Sequence, residues 1–80
     1  MSEDASSVVV EEWSSALGVV TSSTDDDFFE LGGDSLLAVE LAHRVEGRLQ
    51  IEFPIDVMFL DGTLGAVVEA CKKRCAENGL

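Results

Sequence analysis

Ser35 is the hydroxyl whose surroundings in this chain suggest chemistry. It stands in Asp27-Phe28-Phe29-Glu30-Leu31-Gly32-Gly33-Asp34-Ser35-Leu36, where a long polar connection gives way to a helical pattern. Two apolar rings and a leucine precede Gly32 and Gly33, which lack side chains and widen the backbone options, so a partner can approach the serine closely. The first N–H groups of the following helix have no intrahelical acceptors and lie at the positive end of its dipole. A phosphate attached there is favourably placed. Nothing equips Ser35 as a catalyst. A nucleophilic serine needs a base and a group that orients the base. The single histidine, His43, lies further along the same helix, about 12 Å of rise away, and cannot serve. A histidine facing a partner fits it better. The chain has no tyrosine. So small a domain also shows no cleft in which to bury two carboxylates and separate their pKa values. Ser35 reads as a group modified by another protein.

Two other clusters fail as sites. The triplet Asp25-Asp26-Asp27 invites calcium, but an EF-hand loop needs acids at alternate positions, and position 29 is phenylalanine. Cys71 and Cys75 share one helix at a spacing unsuited to an intrahelical disulfide, with no further Cys or nearby His to complete a metal set. Core filling is the favoured reading, with a redox role as the alternative.

Four helices must position Ser35. Val8 to Leu17 is the first, capped by Ser6 or Ser7 and stopped at Gly18, with residues 1–6 as a frayed tail and 7–77 as the core of a single domain spanning 1–80. Val9, Val10, Trp13, Ala16 and Leu17 form its buried face, with Trp13 as a core anchor. A connection of about 15 residues follows, long for so small a domain, with Phe28, Phe29 and Leu31 pinning its far end. The second helix runs from Ser35 to about Leu49. At about 100° per residue, Ala38, Leu41, Ala42, Val45 and Leu49 form one core-facing arc. Leu36, Val39 and His43 form a narrower strip nearly opposite. Single exposed apolar residues mean little, but a strip beginning beside Ser35 reads as a docking surface. Glu40, Arg44, Glu46 and Arg48 make a mixed polar face.

Gly47, Gln50 and Phe53-Pro54 then break the pattern, and a short third helix covers Ile55-Asp56-Val57-Met58-Phe59-Leu60. Ile55, Met58 and Phe59 share one side of it; Val57 and Leu60 share another. One set packs inward and the other joins the surface near Ser35. Asp61-Gly62 is a turn, Thr63 an N-cap, and Leu64, Val67, Val68, Cys71 and Cys75 are the buried stripe of the fourth helix. Lys72, Lys73 and Arg74 suit the negative end of its dipole, and Asn78-Gly79 closes it. The fold class is all-α: a small four-helix bundle with a long loop between helices 1 and 2.

Composition narrows the function classes. Sixteen acidic residues against five basic ones give a formal charge of −11, which excludes nucleic acid, whose binding rests on neutralising phosphates. The charge serves solubility, and equally a partner with a basic rim. No apolar run reaches the roughly 18 residues of a membrane span. The N-terminus carries no secretory signal, so a cytosolic location is expected.

The run DDFFELGGDSLLAVEL resembles the core motif of carrier proteins that bear a 4'-phosphopantetheine arm. It is most similar to the peptidyl carriers of nonribosomal peptide synthesis. The likeness extends from Trp13-Ser14-Ser15-Ala16-Leu17-Gly18 through Phe53-Pro54 and Phe59 to Thr63-Leu64. It implies a carrier of acyl-carrier-protein type, with Ser35 taking the arm from coenzyme A through a phosphopantetheinyl transferase and Gly32, Gly33 and Asp34 in support. An adenylation enzyme then loads an aminoacyl group, and condensation or tailoring enzymes recognise helix two, the loop and helix three through Leu36, Val39, His43, Ile55, Met58 and Phe59. Asp34 positions Ser35 or meets the transferase in one reading, and is a simple N-cap in the other. Asp34 departs from the histidine often found in peptidyl carriers and is shared with acyl and aryl carriers, so those subtypes stand as alternatives. Gly62 replaces a usual proline, which loosens that turn. The initiator Met and the end soon after helix four suggest a discrete protein rather than a piece cut from a synthetase, with a cloned fragment as the alternative; a monomer is expected. An acidic helical interaction module without a prosthetic group is the rival from another class, but it leaves Gly-Gly-Asp-Ser between aromatic anchors unexplained.

Overall fold

In the computed structural model, residues 4–20 and 23–77 are described. They form α1 (Ala5–Leu17), α2 (Ser35–Leu49), α3 (Ile55–Leu60) and α4 (Leu64–Glu77). α1 packs on both α2 and α4, while short α3 bridges those two. Because α1 has neighbours on two sides, its buried arc is wider than the sequence pattern indicated. Ala5, Val8, Val9 and Trp13 are buried, and Val10 and Leu17 partly so.

α1 begins at Ala5 rather than Val8, so residues 4–6 are not a frayed tail. The cap is neither Ser6 nor Ser7 but Asp4, whose Oδ1 accepts the Ser7 N–H at 2.7 Å and whose Oδ2 accepts the Ser7 hydroxyl at 3.2 Å. Gly18 ends the helix at φ 67, its N–H donating to the Ser14 carbonyl at 2.8 Å. The Asn78-Gly79 stop lies outside the described residues.

α2 buries the five residues expected of its core face: Ala38, Leu41, Ala42, Val45 and Leu49. Gly47 does not interrupt it, because the helix continues to Leu49 and stops at Gln50 in the left-handed conformation, φ 57. Arg48 joins α2 to α1, with Nη1 at 3.0 Å from both Glu11 Oε1 and Glu12 Oε2. Glu46 Oε2 accepts the Phe53 N–H at 2.8 Å and ties α2 to the segment entering α3. In α4, Leu64, Val67, Val68 and Cys71 are buried and Cys75 packs partly against the core.

The long connection is fastened to the turn between α3 and α4. Phe28 N–H donates to the Gly62 carbonyl at 2.8 Å, Leu64 N–H to Asp26 at 2.9 Å and Gly65 N–H to Thr24 at 2.9 Å. Gly62 is central to this seam. At φ +77 it holds a conformation closed to proline, whose ring fixes φ near −65°. The glycine therefore fits a tightly bonded turn and does not loosen it.

Candidate functional site

Phe28 is fully buried and meets Trp13 edge-on, ring centroids 5.2 Å apart at 77°. Burying two such rings contributes about 1.5–3 kcal/mol each, enough to fix the loop end that leads to Ser35. Asp27 shapes the next turn, its Oδ1 accepting the N–H groups of Phe29 at 2.9 Å and Glu30 at 3.2 Å. The chain then turns back on itself, and the Gly33 N–H reaches the Phe28 carbonyl at 2.9 Å. A Cβ on Gly33 would collide with the Phe28 ring and lie 2.7 Å from the Phe28 carbonyl oxygen. Gly33 thus serves interior packing rather than the approach of a partner. Gly32 differs: it sits at φ +108 with open space beside it.

Ser35 is the first residue of α2 and is exposed. Asp34 precedes it in an extended conformation and caps the helix, its Oδ1 accepting the Leu37 N–H at 2.9 Å. The Asp34 carbonyl accepts the Ala38 N–H at 2.9 Å. The N–H groups of Ser35 and Leu36 have no protein acceptor among the described residues. An accessible hydroxyl beside two unpaired donors at a helix N-terminus suits a phosphodiester. The site thus fits a phosphate-linked group.

The predicted docking residues divide. Leu36, Val39 and Phe59 are exposed at 70%, 44% and 51%. Val39, His43 and Ile55 line one groove of about 430 Å³ between α2 and the start of α3. Met58 is a correction: it is fully buried in the core. Neither face of α3 turns wholly inward, since Met58 is buried beside a half-exposed Phe59 while Leu60 projects at 86% exposure. A helix of less than two turns wedged between larger elements has its inward position chosen by its neighbours, not by its own periodicity.

Sequence reasoning missed the charged rim of the groove, formed by Glu46, Glu52, Asp56 and Arg74. Arg74 Nη1 pairs with Glu52 Oε1 at 3.3 Å across a long stretch of chain, a contact without a local signal. Cys71 is buried, and burial pushes its thiol up to about 12, which fits core filling. No cluster of three or more His, Cys, Asp or Glu side chains suited to a metal occurs among the described residues. Nor is any described helix long and apolar enough to cross a membrane.

A family model described as "Phosphopantetheine attachment site" matches residues 7–71. The chain belongs to this family. It is a carrier domain, a non-catalytic module that bears a covalent 4'-phosphopantetheine arm. The carrier is 35% identical over 68 residues to Gramicidin S synthase 2 of Brevibacillus brevis, covering 85% of this chain and 2% of that protein. It is 43% identical over 58 residues to PF 1022-synthetase of a Rosellinia species, covering 72% of this chain and 2% of that one. The carrier thus spans a small fraction of the length of these curated relatives.

Among solved structures, the carrier matches a chain of "Structure of the Phosphopantetheine Transferase Sfp in Complex with Coenzyme A and a Peptidyl Carrier Protein". The TM-score is 0.79 and the identity 31%, over 92% of this chain and 96% of that chain. It also matches "Non Ribosomal PCP domain" with TM-score 0.69 and 26% identity, over 86% of this chain and 88% of that chain. The four-helix fold expected from the sequence is that of these peptidyl carriers.

Proposed function

We propose that Ser35 is the attachment residue and that this carrier presents an aminoacyl thioester to the enzymes of a nonribosomal peptide pathway. The observation that carries the reading is an exposed Ser35 at the start of α2, with the Asp34 cap beside it and two unpaired backbone donors. In the modification, the Ser35 hydroxyl oxygen attacks the pantetheine-side phosphorus of coenzyme A. The new P–O bond forms as the pyrophosphate bridge breaks, adenosine bisphosphate leaves, and the hydroxyl proton passes to a base of the transferase. The unpaired N–H groups of Ser35 and Leu36 stabilise the resulting phosphodiester. Asp34, as N-cap, holds the first turn of α2 in register so that these donors face the phosphate. When bound, the arm supplies a thiol that holds the acyl group as a thioester.

The relatives of this chain include Gramicidin S synthase 2 and Tyrocidine synthase 3, which favours an amino acid as the load and adenylation and condensation enzymes as partners. The exposed strip Leu36 and Val39, with Phe59 on α3, supplies apolar contact for them, and the surrounding carboxylates favour a basic partner rim. A cytosolic location accords with the supply of coenzyme A. Incubation with coenzyme A and the transferase Sfp, followed by intact-mass measurement, tests the attachment. Wild type is expected to gain one phosphopantetheine and Ser35→Ala none. A gain on Ser35→Ala would overturn the assignment.

A further inference from the structure

The core of this carrier reaches its surface through a chain of rings. Buried Trp13 meets Phe28, Phe28 meets Phe29 edge-on at 5.5 Å and 85°, and Phe29 lies nearly parallel to Phe59 at 5.8 Å and 22°. Phe59 is half-exposed on α3. That helix has six residues and no side-chain cap, too little to hold itself together. Its orientation depends on what it packs against, and on the exposed side that is Phe29.

The backbone of Phe29 is held in turn. Its N–H donates to Asp27 Oδ1 at 2.9 Å, and its carbonyl accepts the Gly32 N–H at 3.3 Å, in the turn leading to Ser35. One ring therefore connects the segment carrying the modified serine to the helix presenting an apolar face. We infer that Phe29 is a positioning residue that acts through Phe59: it orients that ring, so that the α3 surface and Ser35 are presented to the modifying enzyme as one rigid unit. The inference rests on the reading of Ser35 and α3 given above.

The experiment uses Sfp and coenzyme A as the probe and follows the initial rate of mass gain against carrier concentration. Phe29→Leu is expected to raise the KM for the carrier by about threefold to tenfold, the worth of one aromatic pair, with kcat unchanged. Phe59→Leu is expected to raise it at least as much, because it removes the exposed ring as well as the stack, and the double variant is expected to be no worse than Phe59→Leu alone. Phe29→Tyr keeps the ring and restores the wild-type KM. An unchanged KM for Phe29→Leu, or losses that multiply in the double variant, would overturn the inference. If Phe29→Leu is poorly folded, the ring-current shifts of Phe59 in Phe29→Tyr decide instead: retained upfield shifts support the stack, and random-coil values refute it. Failure of the Ser35 assignment shows separately, as mass gain on Ser35→Ala.

Discussion

The Phe28 ring occupies the space a side chain on Gly33 would need, and the Gly33 N–H is bonded to the Phe28 carbonyl at 2.9 Å. Gly33→Ala forces the ring or the turn to move. It is expected to destabilise the fold by about 1–3 kcal/mol, the usual cost of overpacking a filled site, and urea denaturation monitored by Trp13 fluorescence measures it. Modification at Ser35 slows as well, because the displaced turn carries that serine.

A charge on the α2 strip tests the docking face without touching the core. Val39 is 44% exposed and lines the groove with His43 and Ile55. Val39→Asp is expected to leave the thermal midpoint nearly unchanged while lowering kcat/KM for Sfp at least about fivefold, the effect of losing roughly 1 kcal/mol at an interface. Equal loading rates for the two proteins would remove Val39 from that surface.

The two thiols should differ sharply in reactivity. Cys71 is buried with its thiol pushed up to about 12, so almost none is thiolate at pH 8, whereas Cys75 is only partly covered. Iodoacetamide is expected to label Cys75 alone in the native protein and both residues after denaturation, counted by intact mass. Native labelling at Cys71 would show that the α4 core opens readily.

Acid should loosen the start of α1. The Ser7 backbone N–H donates to the Asp4 carboxylate and lowers its pKa below the ordinary 3.8. The folded value lies below the unfolded one, so the cap contributes fully above pH 3.8 and is lost as pH falls through the folded pKa. Following the Ser7 amide by NMR from neutral to acid pH is expected to show one transition below 3.8, absent in Asp4→Asn.

Much of this architecture was legible where one residue pattern faced one neighbour. The core arc of α2 is such a case, because Ala38, Leu41, Ala42, Val45 and Leu49 all look the same way. α1 was less legible, being flanked on two sides, and with Asp4, Ser6 and Ser7 all chemically able to cap it. The burial of Ala5 extends the helix and gives that role to Asp4. α3 was least legible. Five of its six residues are apolar, and only the surrounding elements decide that Met58 goes in while Leu60 stays out. At the site, Ser35 was visible from its motif. The role of Gly33 was not, because it depends on a ring folded back from five positions earlier in the chain.

Four of the five basic side chains are occupied by neighbours: Arg44 and Arg48 with acids of α1, Lys72 with Glu69 and Arg74 with Glu52. These pairs offset each cation locally, and with a formal charge of −11 the net field reaching an approaching enzyme is anionic. Encounter with a basic partner should therefore be governed by ionic strength. Over a Debye length of about 10 Å at 0.1 M salt the attraction is already fading, so added sodium chloride should slow association while leaving dissociation nearly alone.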